Sequence, residues 1–370
     1  MELDHLPIID THAHLFDVKH KERDFSEIFT LSLENPPLKQ RQNTLIYRWF
    51  IKELANHLGC RPNESEIKVV RSERIKENYE GYVQDLFSDA NIKGLVVDIG
   101  YMPASVNLED FHKLTPATVK YLYRIENVMD KIWKEKPAFD YALETFNHAL
   151  SESISKENFI GLKSIIGYRT GLAIEKVNED VARTAYHQGD EKKVRDFFLL
   201  LALEFCRVKR KPIQIHTSFG ESNINLLLNN PLLLKPLLQD EEIKQQPIVL
   251  VHGGYPYSFE AGYLCAMYPN VYCDVSEFVP LVPLGINKGL SDIMDMCPLN
   301  KIMYGSDAFI IPEFHWFSAV VFKRKLAALL DDILIQGIID YDYALEIAEM
   351  ITYKNAVDFY EFDLSSSTAI

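Results

Sequence analysis

A (β/α)8 barrel is the fold class that this sequence predicts, and three observations predict it. Short β-type runs recur eight times, at about 7–14, 92–100, 121–126, 159–166, 212–217, 247–252, 270–276 and 301–306. Between them lie stretches of helical periodicity, among them 191–209, 258–268, 285–296 and 314–331. Strand and helix in alternation build a parallel sheet, and eight such units close into a barrel. The GxGxxG fingerprint that would favour an open, doubly wound sheet is absent after the first strand. The 370 residues suit one large barrel domain over 1–363, followed by a polar, flexible tail at 364–370.

The strands are unevenly spaced. Roughly 75 residues separate the first strand from the second, far more than one crossover helix needs. Helical periodicity at 44–59 and 66–87 fills this stretch, so about 17–90 reads as a helical insertion folding over the C-terminal mouth as a partial lid. A second long connection, about 167–190, follows the fourth strand.

Composition excludes some partners. Lys and Arg total 39 against 53 Asp and Glu, a formal net charge of −14. That balance argues against nucleic acid or an anionic membrane as the main partner. The start of the chain lacks the pattern of a secretory signal, and no run reaches the ~18 apolar residues of a membrane span. Cys60, Cys206, Cys265, Cys273 and Cys297 are odd in number, widely spaced and without a CxxC pair. They read as reduced, mostly buried thiols of a cytoplasmic protein, not as a disulfide frame or a cysteine zinc site.

The chemistry starts at Asp10-Thr11-His12-Ala13-His14. Residues two apart on a strand share a face, so Asp10, His12 and His14 are expected to point into the barrel, with Ile9, Thr11 and Ala13 outward. Two imidazoles side by side there call for a divalent metal. His216 and His252 stand at the ends of the fifth and sixth strands, and Asp307 follows the eighth. Each ends an apolar run at the C-terminal rim, where barrel enzymes assemble their sites. Lys163 on the fourth strand would be a poorly solvated ammonium inside a barrel. Carbamylation by CO2 into a metal-bridging anion, a contact with a substrate anion, or a salt bridge to Asp98 or Glu126 would each resolve this.

This pattern resembles the amidohydrolase superfamily of metal-dependent barrel hydrolases. The match rests on DTHAH on strand 1, Lys163 on strand 4, His216 and His252 on strands 5 and 6, Asp307 on strand 8 and the late KNAVDFY motif at 354–360. Within it the layout is similar to the amidohydrolase-2 group, and GLKSIIGYRTGL (161–172) resembles the N-terminal hydrolase region of nodulin/glutamine-synthetase-like proteins. The chain stops soon after the barrel, which reads as a hydrolase without the synthetase half. The resemblance implies that His12, His14 and Asp307 bind one ion, that His216 and His252 bind a second where present, and that Lys163 bridges the two in some relatives. In a one-metal layout similar to the amino-carboxymuconate-semialdehyde decarboxylase type, the ligands are His12, His14, His216 and Asp307, and His252 is left for catalysis.

Imidazole and carboxylate ligands without thiolate suit zinc, as one ion or two. The expected activity is hydrolysis by metal-activated water of an amide, another C–N bond or a lactone ester in a small, carboxylate-bearing molecule. Asp307 would shuttle the proton, and His252 or the metal would polarise the carbonyl. Arg169 is the expected substrate-carboxylate contact and Tyr255 an expected substrate contact. The alternative is a metal-dependent decarboxylase on the same barrel, with one ion and an unmodified Lys163; a non-catalytic binding barrel is the third reading. Such barrels often form homo-oligomers.

Overall fold

The computed structural model describes residues 1–19, 23–102 and 106–364. Residues 365–370, nearly all of the expected tail, lie outside the described residues. The eight strands are β1 (Ile8–Ala13), β2 (Ile92–Asp98), β3 (Thr118–Arg124), β4 (Phe159–Ser164), β5 (Ile213–His216), β6 (Ile248–Val251), β7 (Val271–Asp274) and β8 (Ile302–Met303). They lie in sequence order, each parallel to the next. The third strand sits earlier than the 121–126 expected from sequence, because Ile125 already has helical dihedrals and starts the Glu126–Glu135 helix.

Closure is made just beyond β8. Thr11 N–H donates to the Tyr304 carbonyl (2.9 Å), Asp307 N–H to the His12 carbonyl (2.7 Å) and His14 N–H to the Ala308 carbonyl (2.8 Å). This seam sets residues 304–308 alongside β1.

Inside the barrel, Ile9, Val96, Leu122, Val249, Val251 and Met303 form one apolar cluster with Ala356, Tyr360 and Phe362. The Asn355–Tyr360 helix therefore helps to plug the barrel, and Asn355 anchors it by donating to the carbonyls of Leu299 (2.8 Å) and Ile302 (2.7 Å). A separate, larger cluster lies outside, between the sheet and the surrounding helices. The placement of Ile9 corrects the simple alternation expected on β1. The β1–β2 register shifts between Asp10 and Ala13, and such an irregularity changes which face later residues take. Ile9 before it and His12 after it both reach the interior. Asp10 does not join the histidines; its carboxylate accepts from Ser306 N–H (2.9 Å), Ser306 Oγ (2.5 Å) and His12 N–H (3.2 Å).

The long insertion also differs from expectation. Its Leu45–Leu58 helix is capped by the Thr44 side chain and ends on Gly59 in the left-handed region, φ 72°. This helix and the Glu64–Asp89 helix brace the Pro312–Ile335 helix, with Trp49 and Phe50 edge-on to Phe317, and Trp316 Nε1 donating to Asp89. The stretch before them reaches the β5 loop: Ser222 N–H donates to the Leu31 carbonyl and Leu33 N–H to Ser222 Oγ. Among the described residues, that stretch makes the lid-like contact with the β5 loop. The cysteines are all free, as read, but Cys265, Cys273 and Cys297 converge with sulfurs within 4.8 Å in the outer layer, which their sequence spacing concealed.

Buried Glu313 ties the insertion down by accepting from Tyr82 Oη (2.8 Å) and from Arg71. Glu313→Leu removes the carboxylate facing a buried guanidinium, a change that costs about 3–5 kcal/mol. Urea denaturation against wild type measures this; a loss below about 1 kcal/mol, the scale of an exposed ion pair, would show that the clamp contributes little.

Candidate metal centre

β1 supplies His12 and, one residue beyond it, His14; β4 supplies Lys163, β5 His216, the residue after β6 His252, and the turn after β8 Asp307. The imidazole centroids run in a chain: His14 to His12 5.4 Å, His12 to His252 5.1 Å, and His252 to His216 4.6 Å. Parallel strands ending at one rim bring together residues almost 300 positions apart.

Each imidazole has one nitrogen already engaged. His12 Nδ1–H donates to Gln214 Oε1 (2.7 Å), and His14 Nδ1–H to the Asp98 carbonyl (3.0 Å). His252 Nδ1–H donates to Ser276 Oγ (2.8 Å), and His216 Nε2–H to the Phe219 carbonyl (3.1 Å). In a neutral imidazole this leaves lone pairs on Nε2 of His12, His14 and His252 and on Nδ1 of His216. Burial holds His216 and His252 well below the ordinary imidazole pKa, and burial with the neighbouring Lys163 lowers His12, so all three are neutral.

Asp307 meets these lone pairs. Its Oδ1 is 3.2 Å from His12 Nε2 and 3.2 Å from His14 Nε2. A carboxylate oxygen and two imidazole Nε2 atoms converging in this way suit a shared cation. The spacing fits one, because ligands about 2.0–2.2 Å from a shared zinc lie a little over 3 Å apart. The donor set therefore fits a divalent metal.

Lys163 is buried and its Nζ lies 3.3 Å from His12 Nε2. Burial pushes its pKa down to about 8 despite the opposing charge of Asp98. The salt-bridge partner expected for it is taken: Asp98 Oδ2 accepts from Arg124 Nε (2.9 Å) and Nη2 (2.5 Å). Glu126 is bonded instead to Ser164 Oγ (2.7 Å).

The remaining expected substrate residues lie apart from this cluster. Arg169 forks onto Asp130 (3.2 and 2.7 Å), which also pairs with Arg195, so its guanidinium is already engaged by a carboxylate of the chain. Tyr255 stacks on Phe278 (5.4 Å, 13°) and packs edge-on to Phe219. Tyr168, by contrast, lies 4.6 Å from the His216 ring. Sequence reading missed Gln214, Ser276, Asp274 and Glu277. Asp274 Oδ1 accepts from the backbone N–H of His252 (3.0 Å) and from Ser276 Oγ (2.5 Å), completing the support of His252. Polar side chains inside β5 and at the end of β7 were the available signals. Three non-glycine residues here have left-handed φ, His252 (70°), Glu277 (62°) and Asp307 (57°), a strain of the sort that accumulates at functional sites.

The fold and this cluster define a metal-dependent enzyme of the barrel class. A family model described as amidohydrolase matches residues 183–362, a little under half of the chain. It is 26% identical over 401 positions to the protein fluG of Emericella nidulans, covering 96% of this chain and 46% of that one; the chain thus spans about half the length of this curated relative. A Lactobacillus casei ATCC 334 protein described as a metal-dependent hydrolase is 26% identical, with a TM-score of 0.84 over 99% of this chain and 98% of its own. A uronate isomerase of Thermotoga maritima, 15% identical, has a TM-score of 0.72 over 97% of this chain and 95% of its own, a likeness of fold. The protein is an enzyme of the amidohydrolase type that uses a divalent metal ion and a small-molecule substrate. No helix among the described residues is long and apolar enough to cross a membrane.

Gln214→Leu releases His12 Nδ1 and is expected to weaken zinc binding by about 10–100-fold, the usual cost of losing such a support. Competition with a chromophoric chelator measures it, and unchanged affinity would remove Gln214 from the site. Arg124→Met tests the buried pair. The Asp98 carboxyl is raised by burial but held well below its ordinary 3.8 by Arg124, so its stabilising contribution is full above that value and fades as the pH falls below it. The melting-temperature gap between wild type and Arg124→Met should be widest at neutral pH and shrink below about pH 4. A gap independent of pH would contradict this.

Proposed function

We propose that the protein is a zinc-dependent hydrolase of an amide, another C–N bond or a lactone ester in a small, carboxylate-bearing molecule. The observation that carries this reading is Asp307 Oδ1, 3.2 Å from Nε2 of both His12 and His14. His12, His14 and Asp307 would hold one ion and His216 and His252 a second, with Lys163, once carbamylated, bridging them. When bound, the metal supplies a Lewis acid and makes water acidic enough to react near neutral pH.

The side chains divide the remaining tasks. Asp307, ionised and partly exposed to the mouth, accepts the proton of the attacking water and returns it to the leaving group. His252 keeps its only proton on Nδ1, toward Ser276, so its other nitrogen offers a lone pair and suits a ligand better than a donor to an oxyanion. A substrate carboxylate would meet Arg169 or Arg124, each of which also pairs with a carboxylate of the chain, Asp130 and Asp98 respectively. The low pKa of Lys163 leaves a neutral amine fraction for reaction with CO2.

The test pairs metal analysis with turnover on a panel of N-acyl amino acids and lactones. Wild type is expected to hold zinc and hydrolyse a member of the panel, with His12→Ala losing zinc. Asp307→Asn should lower kcat by about 10²–10⁴-fold, the usual contribution of a proton-transfer group. Release of CO2 from a carboxylated substrate without amide or ester cleavage would overturn hydrolysis in favour of decarboxylation.

A further inference from the structure

Glu277 is a buried acid for which the reading above has no use. It is 3% exposed, and its Oε2 has no hydrogen-bond partner among the described residues. Asp307 and Glu221 add like charge around it, against Lys163 as the nearby cation and a side-chain hydrogen bond with Ser218. Its backbone is strained as well. With φ 62° and ψ −62°, and Phe278 N–H donating to the Ser276 carbonyl at 2.7 Å, Glu277 is the centre of a positive-φ γ-turn, a rare conformation. Strain and a buried carboxyl oxygen left without a hydrogen bond together cost several kcal/mol in general, and a fold keeps them where something is gained.

The same short stretch serves the cluster twice. Asp274 and Ser276 orient His252, and the γ-turn directly after them brings the Glu277 carboxylate beside that ring, 3.9 Å from the Nδ1 that Ser276 holds. His216, His252 and Glu277 each present a ligand atom within 4.8 Å of the others, and all three are buried. Two neutral imidazoles supply lone pairs but no charge, so a dication there would depend for compensation on the shared Lys163 carbamate. A carboxylate relieves that dependence, and hard oxygen with imidazole nitrogen is a donor set that zinc accepts.

We propose that Glu277 is a ligand of the second divalent cation, together with His216 and His252. This rests on the two-ion reading of the site, and it makes occupancy of the second position depend on a residue outside the pattern His12, His14, Lys163, His216, His252, Asp307.

Zinc stoichiometry tests it without reference to any substrate. The full chain is stripped with a chelator, reloaded with zinc, freed of excess by gel filtration and measured by elemental mass spectrometry. Wild type should retain about two ions and Glu277→Gln about one, while Glu277→Asp, whose carboxylate falls short, should also lose the second. Without metal, Glu277→Gln should melt at or above the wild-type temperature, because it replaces a buried acid crowded by Asp307 and Glu221 with a neutral isostere. A Glu277→Gln protein that keeps both ions, or whose metal-free form melts well below wild type, would overturn the assignment and leave Glu277 structural. A wild type that holds one ion, lost in His12→Ala, would overturn it while leaving the proposed function standing. A wild type that holds none would overturn both.

Discussion

The arrangement of the whole site depends on the seam that closes the barrel. Hydrogen bonds from Thr11, Asp307 and His14 lace the end of β1 to residues 304–308. Asp307 donates its own backbone N–H to the His12 carbonyl, so its side chain has little choice but to lie beside the two imidazoles. Left-handed backbone at Asp307 and a register shift in β1 accompany this closure. Both are irregularities that an ideal barrel would not carry, and both aim side chains at one point.

Around that point the four histidines are oriented by three kinds of acceptor: an amide oxygen, two backbone carbonyls and a hydroxyl. The supports reach deep into the fold. Gln214, which holds His12, donates to the Thr11 carbonyl (2.7 Å) and to Tyr360 Oη (2.9 Å) on the helix that helps to plug the barrel. The last helix of the domain is thus linked to the first metal-facing imidazole through one amide. Fixing which nitrogen carries the proton turns four buried histidines, costly as unpaired polar groups, into aligned donors for a cation.

The strand–helix alternation, the insertion and the closing helix were readable because they depend on local patterning of apolar residues, and the structure keeps all eight strands close to their expected places. The histidines, Lys163 and Asp307 were readable because each ends or interrupts an apolar strand, where a polar residue needs a reason. Gln214 and Ser276 gave no comparable signal: an amide in a strand or a serine in a loop is common, and its role is set by the neighbour it meets. Arg169 shows a second limit. Its place after β4 suggested a substrate contact, and Asp130 on a helix earlier in the chain engages it as well, a pairing that sequence separation hides.

By itself the sequence determined the barrel and the set of strand-end residues able to bind metal, because period-two and helical patterning are properties of short segments. Tertiary structure alone decided which way each imidazole faces, that the β1 alternation breaks at Asp10, that the insertion braces a helix, and that Glu277 lies beside His252. These outcomes follow from closure and from packing between distant segments, where the energy of a contact depends on geometry that no local pattern encodes.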